Sequence, residues 1–321
     1  MLLFFIKSDY IMFEKVSPSH PDKMCDRLAG AIVDLAYSKE KNPRIAVEVL
    51  AGHGKVFIII ETSLTREQLS CAEIDPIVWR IFGNDVEINV TIVPQDPILS
   101  DMQKEGIRTA DNGIFKGCPP TEEQRVLTAI AATIYGTIPY DGKYIIQRAD
   151  HYYDDAPANT YNLTICQSHA THEEVLDVMD AWVMENYCKK GYHIPIVKST
   201  INPLGPWTGG IDVDCGCTNR KLGSDMGDGV TGGGLMGKDL SKADVSVNIV
   251  CFLKAVASEQ VVTACCSIGD ESVTFVYADG RTETERFADI VEQARLYILT
   301  DCGGSFERFA EWGLVRPGAQ V

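Results

Sequence analysis

An imidazole, a carboxylate and an ammonium group stand within four residues at His20, Pro21, Asp22 and Lys23. Far downstream, the run from Gly232 through Gly233, Gly234 and Gly237 ends in Lys238 and Asp239. Together these groups offer what a polyphosphate and its metal ions need. A carboxylate can hold a hard cation, lysines can hold phosphate oxygens, and glycines let backbone N–H groups approach closely. Pro21 suits the first turn of a helix, which sets Asp22 near the helix N-terminus and His20 just outside it. The competing interpretation is a capping turn with a surface histidine.

Asp212, Asp214, Arg220 and Lys221 lie close together in a second glycine-framed stretch. Arginine can grip phosphate through two N–H groups, and lysine acts as a point charge. Glu48 and Glu61 fall in apolar, strand-like runs. A buried carboxylate there would need a cation, whereas a half-exposed sheet would leave both in solvent. Asp111-Asn112-Gly113 and Asp141-Gly142-Lys143 are, taken alone, turn signals. The segment Gly232 to Lys238 fits the phosphate-loop pattern G-x-x-x-x-G-K, but Asp239 replaces the expected hydroxyl residue and no apolar strand precedes it. A standard phosphate loop needs both, so only a phosphate-binding role for Lys238 survives. Lys242 and Asp244 open the next helix. Ser241 with Asp244 resembles a capping box, which would give Asp244 a purely structural duty.

These groups need a scaffold, and the composition allows a large one. The chain has 321 residues, 45% of them hydrophobic, enough for two or three domains. Its net charge of −16 argues against nucleic acid or an anionic membrane as the partner. The same charge is compatible with a nucleotide whose phosphates meet Mg²⁺ and a local cluster of Lys and Arg. The 11 cysteines are odd in number and lack paired C-x-x-C halves, so structural zinc is not expected. Reduced, buried thiols in a cytoplasmic protein are. The apolar run Met1 to Ile6 is too short for a membrane span and lacks the marks of a signal peptide, so a strand or hydrophobic tail is expected there.

Met24, Leu28, Ile32 and Leu35 recur at helical spacing and predict a helix over 22–37. Further helices are expected over 65–81, 121–135, 171–188, 241–258 and 283–299. The second and third of these open with capping pairs, Thr121 with Gln124 and Thr171 with Glu174. In the latter helix Val175, Met179, Trp182 and Val183 form the apolar stripe. Val56 to Glu61 reads as a buried strand. Other strands are expected over 86–93, 143–147, 161–166, 261–267 and 272–277. The order suggests α+β modules, each with helices on one face of a mixed sheet. The long, glycine-rich stretch 202–239 is of the kind that compact domains keep for a purpose.

Five blocks carry a family resemblance: Val16 to Lys23, Asp111 to Gly113, Asn202 to Gly205, Asp214 to Lys221, and Gly233 to Asp244. In this order they resemble methionine adenosyltransferase, the S-adenosylmethionine synthetase family. The resemblance implies three interleaved α+β domains related by a pseudo-threefold, drawn from segments 12–100, 101–200 and 201–321. It implies a homodimer, or a dimer of dimers, with active sites shared between subunits. The implied reaction is attack of the L-methionine sulfur on C5′ of ATP, with the triphosphate released and cleaved to phosphate and pyrophosphate.

Residue roles follow from the same resemblance. His20, Lys143, Lys238 and Asp244 would be catalytic. Lys143, Asp214, Arg220, Lys221, Lys238 and Lys242 would bind ATP and its phosphates, and Trp207 would stack on adenine. Glu61, Ser100, Asp111 and Asp214 would line the methionine pocket. Asp22 and Asp244 would each hold one of two Mg²⁺ ions, and Glu48 a K⁺. The chain is shorter than usual for the family and departs from it in several places. The loop that usually follows Asp111 to Gly113 is nearly absent, the segment from Lys221 to Lys238 is shortened, Trp207 replaces a phenylalanine, and Ser100 stands where a glutamine is usual, with Gln95 or Gln103 as substitutes. The main expectation is an active synthetase. Its rivals are a nucleotide-binding regulatory paralogue and an unrelated phosphotransferase.

Overall fold

The computed structural model describes residues 12–98, 106–149, 160–190 and 196–318. Met1 to Ile6, Ser100 and Gln103 lie outside them. In chain order the first elements are β1 (Met12–Val16), α1 (Pro21–Lys39), β2 (Ile45–Gly52), β3 (Lys55–Thr62), α2 (Cys71–Phe82) and β4 (Glu87–Pro94). Next come β5 (Gly113–Gly117), α3 (Glu122–Thr137), β6 (Gly142–Arg148), β7 (Tyr161–Gln167), α4 (His172–Asn186) and β8 (Ile196–Ile201). The last third holds β9 (Cys215–Cys217), α5 (Leu222–Met226), α6 (Ala243–Ser258), β10 (Val262–Cys266), β11 (Ser272–Tyr277), β12 (Thr282–Arg286), α7 (Phe287–Asp301) and α8 (Phe306–Trp312).

The strands form three four-stranded sheets, ordered β1-β6-β7-β8, β12-β11-β10-β5 and β4-β3-β2-β9. The expected α+β class is therefore present. Each sheet takes one strand from a distant part of the chain: β1 pairs with β6, β5 with β10, and β9 with β2. The chain divides into two compact units. One joins β1 to residues 121–209, and the other joins residues 18–120 to 210–321.

In the first unit α3 and α4 cover the sheet containing β1. Both helices start as the capping pairs predict. Thr121 accepts a hydrogen bond from the Gln124 N–H at 3.3 Å, and Thr171 accepts one from the Glu174 N–H at 3.2 Å. Val175, Met179 and Val183 are the buried stripe of α4, with Trp182 at its margin.

The second unit holds the other two sheets. Ile45, Val47, Val49 and Ala51 of β2, with Val56, Ile58 and Ile60 of β3, point into the core beneath α1. The run Val56 to Glu61 is thus buried on one face only; Phe57 and Ile59 are 44% and 54% exposed. Helix α1 turns a broader face inward than expected. Cys25, Leu28, Ala29, Ile32, Val33 and Ala36 are buried, while Met24 and Leu35 are partly exposed. The cause is α8, which packs on α1 so closely that a Cβ at Gly30 would lie 2.7 Å from the Phe306 carbonyl oxygen.

Two element boundaries differ from expectation. The chain over Thr65 to Leu69 is a turn, with the Leu69 N–H bonded to the Thr65 carbonyl, and α2 opens only after Ser70. There Glu73 accepts from the Ser70 N–H at 3.4 Å. Residues 283–286, expected to be helical, belong to strand β12, because alternating threonines pair across the hairpin. The Thr274 and Thr284 hydroxyls are 2.9 Å apart.

Candidate functional site

His20 is the N-cap of α1, and its Nδ1 accepts a hydrogen bond from the Asp22 N–H at 3.2 Å. The residue does cap the helix, but it is buried rather than a surface group. With Nδ1 accepting, a neutral ring carries its proton on Nε2, the atom through which it would donate to a substrate oxygen. Asp22 is 1% exposed and sits at the positive end of the helix. Its Oδ1 accepts from the Cys217 N–H at 2.9 Å. Lys221 Nζ lies 2.9 Å from Oδ2, and Arg220 Nε lies 3.4 Å from Oδ1. The Lys221 contact is an ion pair set off the hydrogen-bonding direction, so the buried Oδ2 has no aligned hydrogen bond.

Asn219 connects this cluster to the glycine run. Its Oδ1 accepts from the Leu235 N–H at 2.8 Å and from the Met236 N–H at 2.7 Å. Its Nδ2 donates to the Met236 carbonyl at 3.2 Å. The segment then runs beside β2. The Val47 N–H bonds to the Gly237 carbonyl at 2.7 Å, and Ala46 bridges to Lys238. Asp239 explains the failed phosphate-loop pattern, because it is a buried brace. It accepts from the Ile45 N–H at 2.8 Å and from the Ser241 N–H at 2.7 Å, and burial raises its pKa.

Lys238 Nζ lies 2.9 Å from Asp244 Oδ2. The capping role considered for Asp244 is not what it does. The N-cap of α6 is Lys242, with no side-chain cap, and the Ser241 side chain turns to Asp239. Gly233 lies over Asp244: a Cβ there would be 2.0 Å from Oδ1.

A buried triad braces the loops from behind. Lys23 Nζ lies 2.7 Å from Asp225 Oδ1 and 3.1 Å from Asp26 Oδ2. Asp26 Oδ1 accepts from the Asn219 N–H at 2.8 Å. Burial pulls the Lys23 pKa down, but Asp225 and Asp26 outweigh it and the net shift is upward. Burial raises the Asp26 carboxyl to about 7, against the lowering by Lys23 and with a further push from Asp225.

The other expected residues fall as follows. Glu48 is on the exposed face of its sheet and accepts from the Thr218 hydroxyl, next to the Asp22 cluster. Glu61 is exposed on the same sheet face, opposite Ala46. Asp111 is exposed; the preceding Ala110 N–H bonds to the Ser241 carbonyl at 3.2 Å. Asp214 leads into β9 and accepts from the Cys215 N–H at 2.7 Å. Lys143 and Trp207 belong to the first unit. There Lys143 Nζ pairs with Glu14 Oε2 at 2.9 Å, and the Trp207 carbonyl accepts from the His169 N–H at 2.9 Å. The substitute Gln95 is described, and its Oε1 is buried without a hydrogen-bond partner.

Sequence reasoning gave no part to Asn219, Asp26, Asp225, Thr218 or Glu14. Asn219 had one available signal. It sits at φ 62°, a left-handed conformation that asparagine tolerates better than most residues.

Among the described residues no group of three or more His, Cys, Asp or Glu side chains could hold a metal ion. The chemistry of Mg²⁺ does not demand one, since this ion is commonly held by one or two carboxylates with substrate oxygens and water. The buried Oδ2 of Asp22, paired with Lys221 but without an aligned hydrogen bond, fits that pattern.

The molecule is thus an α+β protein of three sheets whose glycine-rich loops set lysines and arginine against helix-terminal carboxylates. A family model described as the S-adenosylmethionine synthetase N-terminal domain matches residues 9–84. S-adenosylmethionine synthase 2 of Rhodospirillum rubrum is 26% identical, over 89% of this chain and 85% of that one. The S-adenosylmethionine synthase of Brachyspira hyodysenteriae is also 26% identical, over 87% and 80% respectively. A solved structure of an unusual S-adenosylmethionine synthetase from Campylobacter jejuni has the same fold. Its TM-score is 0.66 at 20% identity, covering 95% of this chain and 94% of that one. The chain is thus similar to S-adenosylmethionine synthases over most of its length, at about 26% identity, and shares the fold of a solved synthetase.

Proposed function

We propose that the protein is a methionine adenosyltransferase. L-Methionine would attack C5′ of ATP through its sulfur, and the triphosphate would be released and cleaved to phosphate and pyrophosphate. The observation that supports this most is the chain of contacts linking His20, Asp22, Arg220, Lys221, Lys238 and Asp244 through Asn219.

A thioether is a weak, neutral nucleophile, so the reaction depends on alignment and on a stabilised leaving group. His20 would donate through Nε2 to an oxygen where charge grows as the C5′–O bond breaks. Arg220, Lys221, Lys238, Lys242 and Lys143 would bind the phosphates. Asp111, Asp214, Glu61 and Ser100 would line the methionine pocket, and Trp207 would stack on adenine. Asp22 and Asp244 would hold two Mg²⁺ ions, which when bound supply charge neutralisation on the triphosphate, and Glu48 would contribute an oxygen to a K⁺. An arriving triphosphate would draw Lys221 and Lys238 off their carboxylates and so release both acids for the cations.

A second copy of the chain would cover the open face of the β4-β3-β2-β9 sheet. Leu50, Phe57 and Ile59 are exposed there beside Glu48 and Glu61. The test is incubation with ATP, L-methionine, Mg²⁺ and K⁺. S-Adenosylmethionine and phosphate should appear, and Lys238→Met should slow turnover by roughly 100-fold or more. ATP binding without adenosyl transfer by the wild-type protein would sink the proposal.

A further inference from the structure

Next to the Lys238–Asp244 segment, within the second unit, lies a cleft of about 540 Å³ lined by Tyr37, Lys41, Leu240, Arg295, Ile298 and Phe306. No expected catalytic or binding residue lines it. Its lining includes Tyr37 and Phe306, whose rings stack on each other at 5.1 Å and 15°. Its charged wall is the Arg295 guanidinium, 5.3 Å from the Tyr37 ring centroid. That group is held in place by the Lys41 carbonyl at 3.1 Å and Asn42 Oδ1 at 2.6 Å. A smaller hollow adjoins the cleft and shares Tyr37, Leu240 and Arg295 with it. Of the residues lining that hollow, Arg295 has a buried Nε without a hydrogen bond, 3.9 Å from Glu292 Oε1. Asp34 also lines the cleft, but both of its oxygens are taken by the N–H groups of Phe306 and Glu307, at 2.8 and 3.0 Å. Because the Glu292 carboxylate lies beside Arg295 Nε, an anionic head would meet Lys41 and a guanidinium that is partly neutralised.

The cleft is wired to the candidate site by a single bond. The Tyr37 hydroxyl accepts from the Leu240 N–H at 3.1 Å. Leu240 lies midway between Lys238 and Lys242 and itself lines the cleft.

We propose that this cleft is an effector site for a small organic anion with an apolar body and one acidic head. The body would pack against Leu240, Ile298 and Leu299 beside the aromatic pair, and the head would meet Arg295 and Lys41. Occupancy would hold Tyr37 against Leu240 and so restrain the lysine-bearing segment. That regulatory consequence rests on the phosphate-binding role proposed for the segment; the binding itself does not.

The probe is 1-anilinonaphthalene-8-sulfonate, a flat aromatic anion, titrated into the full-length protein by fluorescence. One saturable site per chain is expected. Leu299 lines the cleft and is 56% exposed, so it can be changed without opening the core. Leu299→Glu should weaken the probe at least tenfold relative to Leu299→Gln. Hydrogen exchange at the Leu240 amide should slow when the probe saturates. Equal binding by the two variants would mark an adventitious surface contact and overturn the site. Binding that leaves Leu240 exchange unchanged would overturn the coupling. Neither readout depends on adenosyl transfer.

Discussion

Asn219→Gly is the sharpest test of how the site is held together. At φ 62° glycine fits the backbone without strain, so the change removes only the side chain. What goes with it are the bonds to the Leu235 N–H, the Met236 N–H and the Met236 carbonyl. The backbone bond from Asn219 to Asp26 at 2.8 Å stays. At about 0.5–1.5 kcal/mol per neutral hydrogen bond, the glycine loop loses ~1.5–4.5 kcal/mol of restraint. That corresponds to a rise of roughly tenfold to 2,000-fold in its open population. Hydrogen exchange at the Leu235 and Met236 amides should speed up by that order. kcat/KM for ATP should fall while the thermal midpoint moves little. Asn219→Ala should be worse than Asn219→Gly, because a Cβ in the left-handed region costs a further ~1–2 kcal/mol. Unchanged exchange at Leu235 and Met236, or an alanine variant better than the glycine one, would refute the clamp.

Gly233→Ala would put a Cβ 2.0 Å from Asp244 Oδ1. The carboxylate must then swing off Lys238, and turnover should drop about 100-fold with little change in thermal stability, since a misplacement near 1 Å can cost that much; a variant with wild-type turnover would show the glycine to be dispensable. The buried Asp26 predicts the pH dependence of stability. Its carboxyl is at about 7 in the fold against 3.8 unfolded, chiefly through burial. The folded state thus keeps a proton that the unfolded state gives up. The stabilisation is full below pH 3.8 and is lost as pH rises towards about 7. The upper limit on the loss is ~4 kcal/mol. Urea unfolding at intervals across that window should show the decline in the wild type and a flatter profile in Asp26→Asn. Stability that rises with pH through the same window, or an unchanged slope in the variant, would contradict it.

What could be read from the sequence was local. Thr121 with Gln124 and Thr171 with Glu174 announce their helices because a capping pair needs only a three-residue spacing. The family motifs point to His20, Asp22, Arg220, Lys221, Lys238 and Asp244, and the fold links these six. What could not be read depends on partners remote in the chain. Strand β9 is three residues long and exists only because β2 offers an edge. Phe57 and Ile59 look like core residues until α1 is seen to cover only the other face. Thr282 to Arg286 carries no apolar alternation, so its threonines register as strand only beside Thr274. Asn219 is an ordinary polar residue until Leu235 and Met236 arrive beneath it.

Asp239 shows how a motif mismatch can mislead. In a phosphate loop the residue after the lysine supplies a hydroxyl to Mg²⁺, so aspartate there looks like a defect. Here it is buried and accepts N–H bonds from Ile45 and Ser241, which pins the lysine-bearing segment to the edge of β2. The lysine is positioned by strand-like pairing rather than by a helix N-terminus. The same economy would let a chain of net charge −16 hold the polyanion of the proposed function. Each of the cations Lys221, Arg220 and Lys238 already faces a carboxylate. On the proposed function a polyphosphate would therefore enter by exchanging partners with Asp22 and Asp244 rather than by neutralising a bare positive patch. That exchange is favourable only if the displaced carboxylates gain cations of their own. Tripolyphosphate affinity should accordingly rise steeply with Mg²⁺ in the wild type and lose most of that dependence in Asp22→Asn.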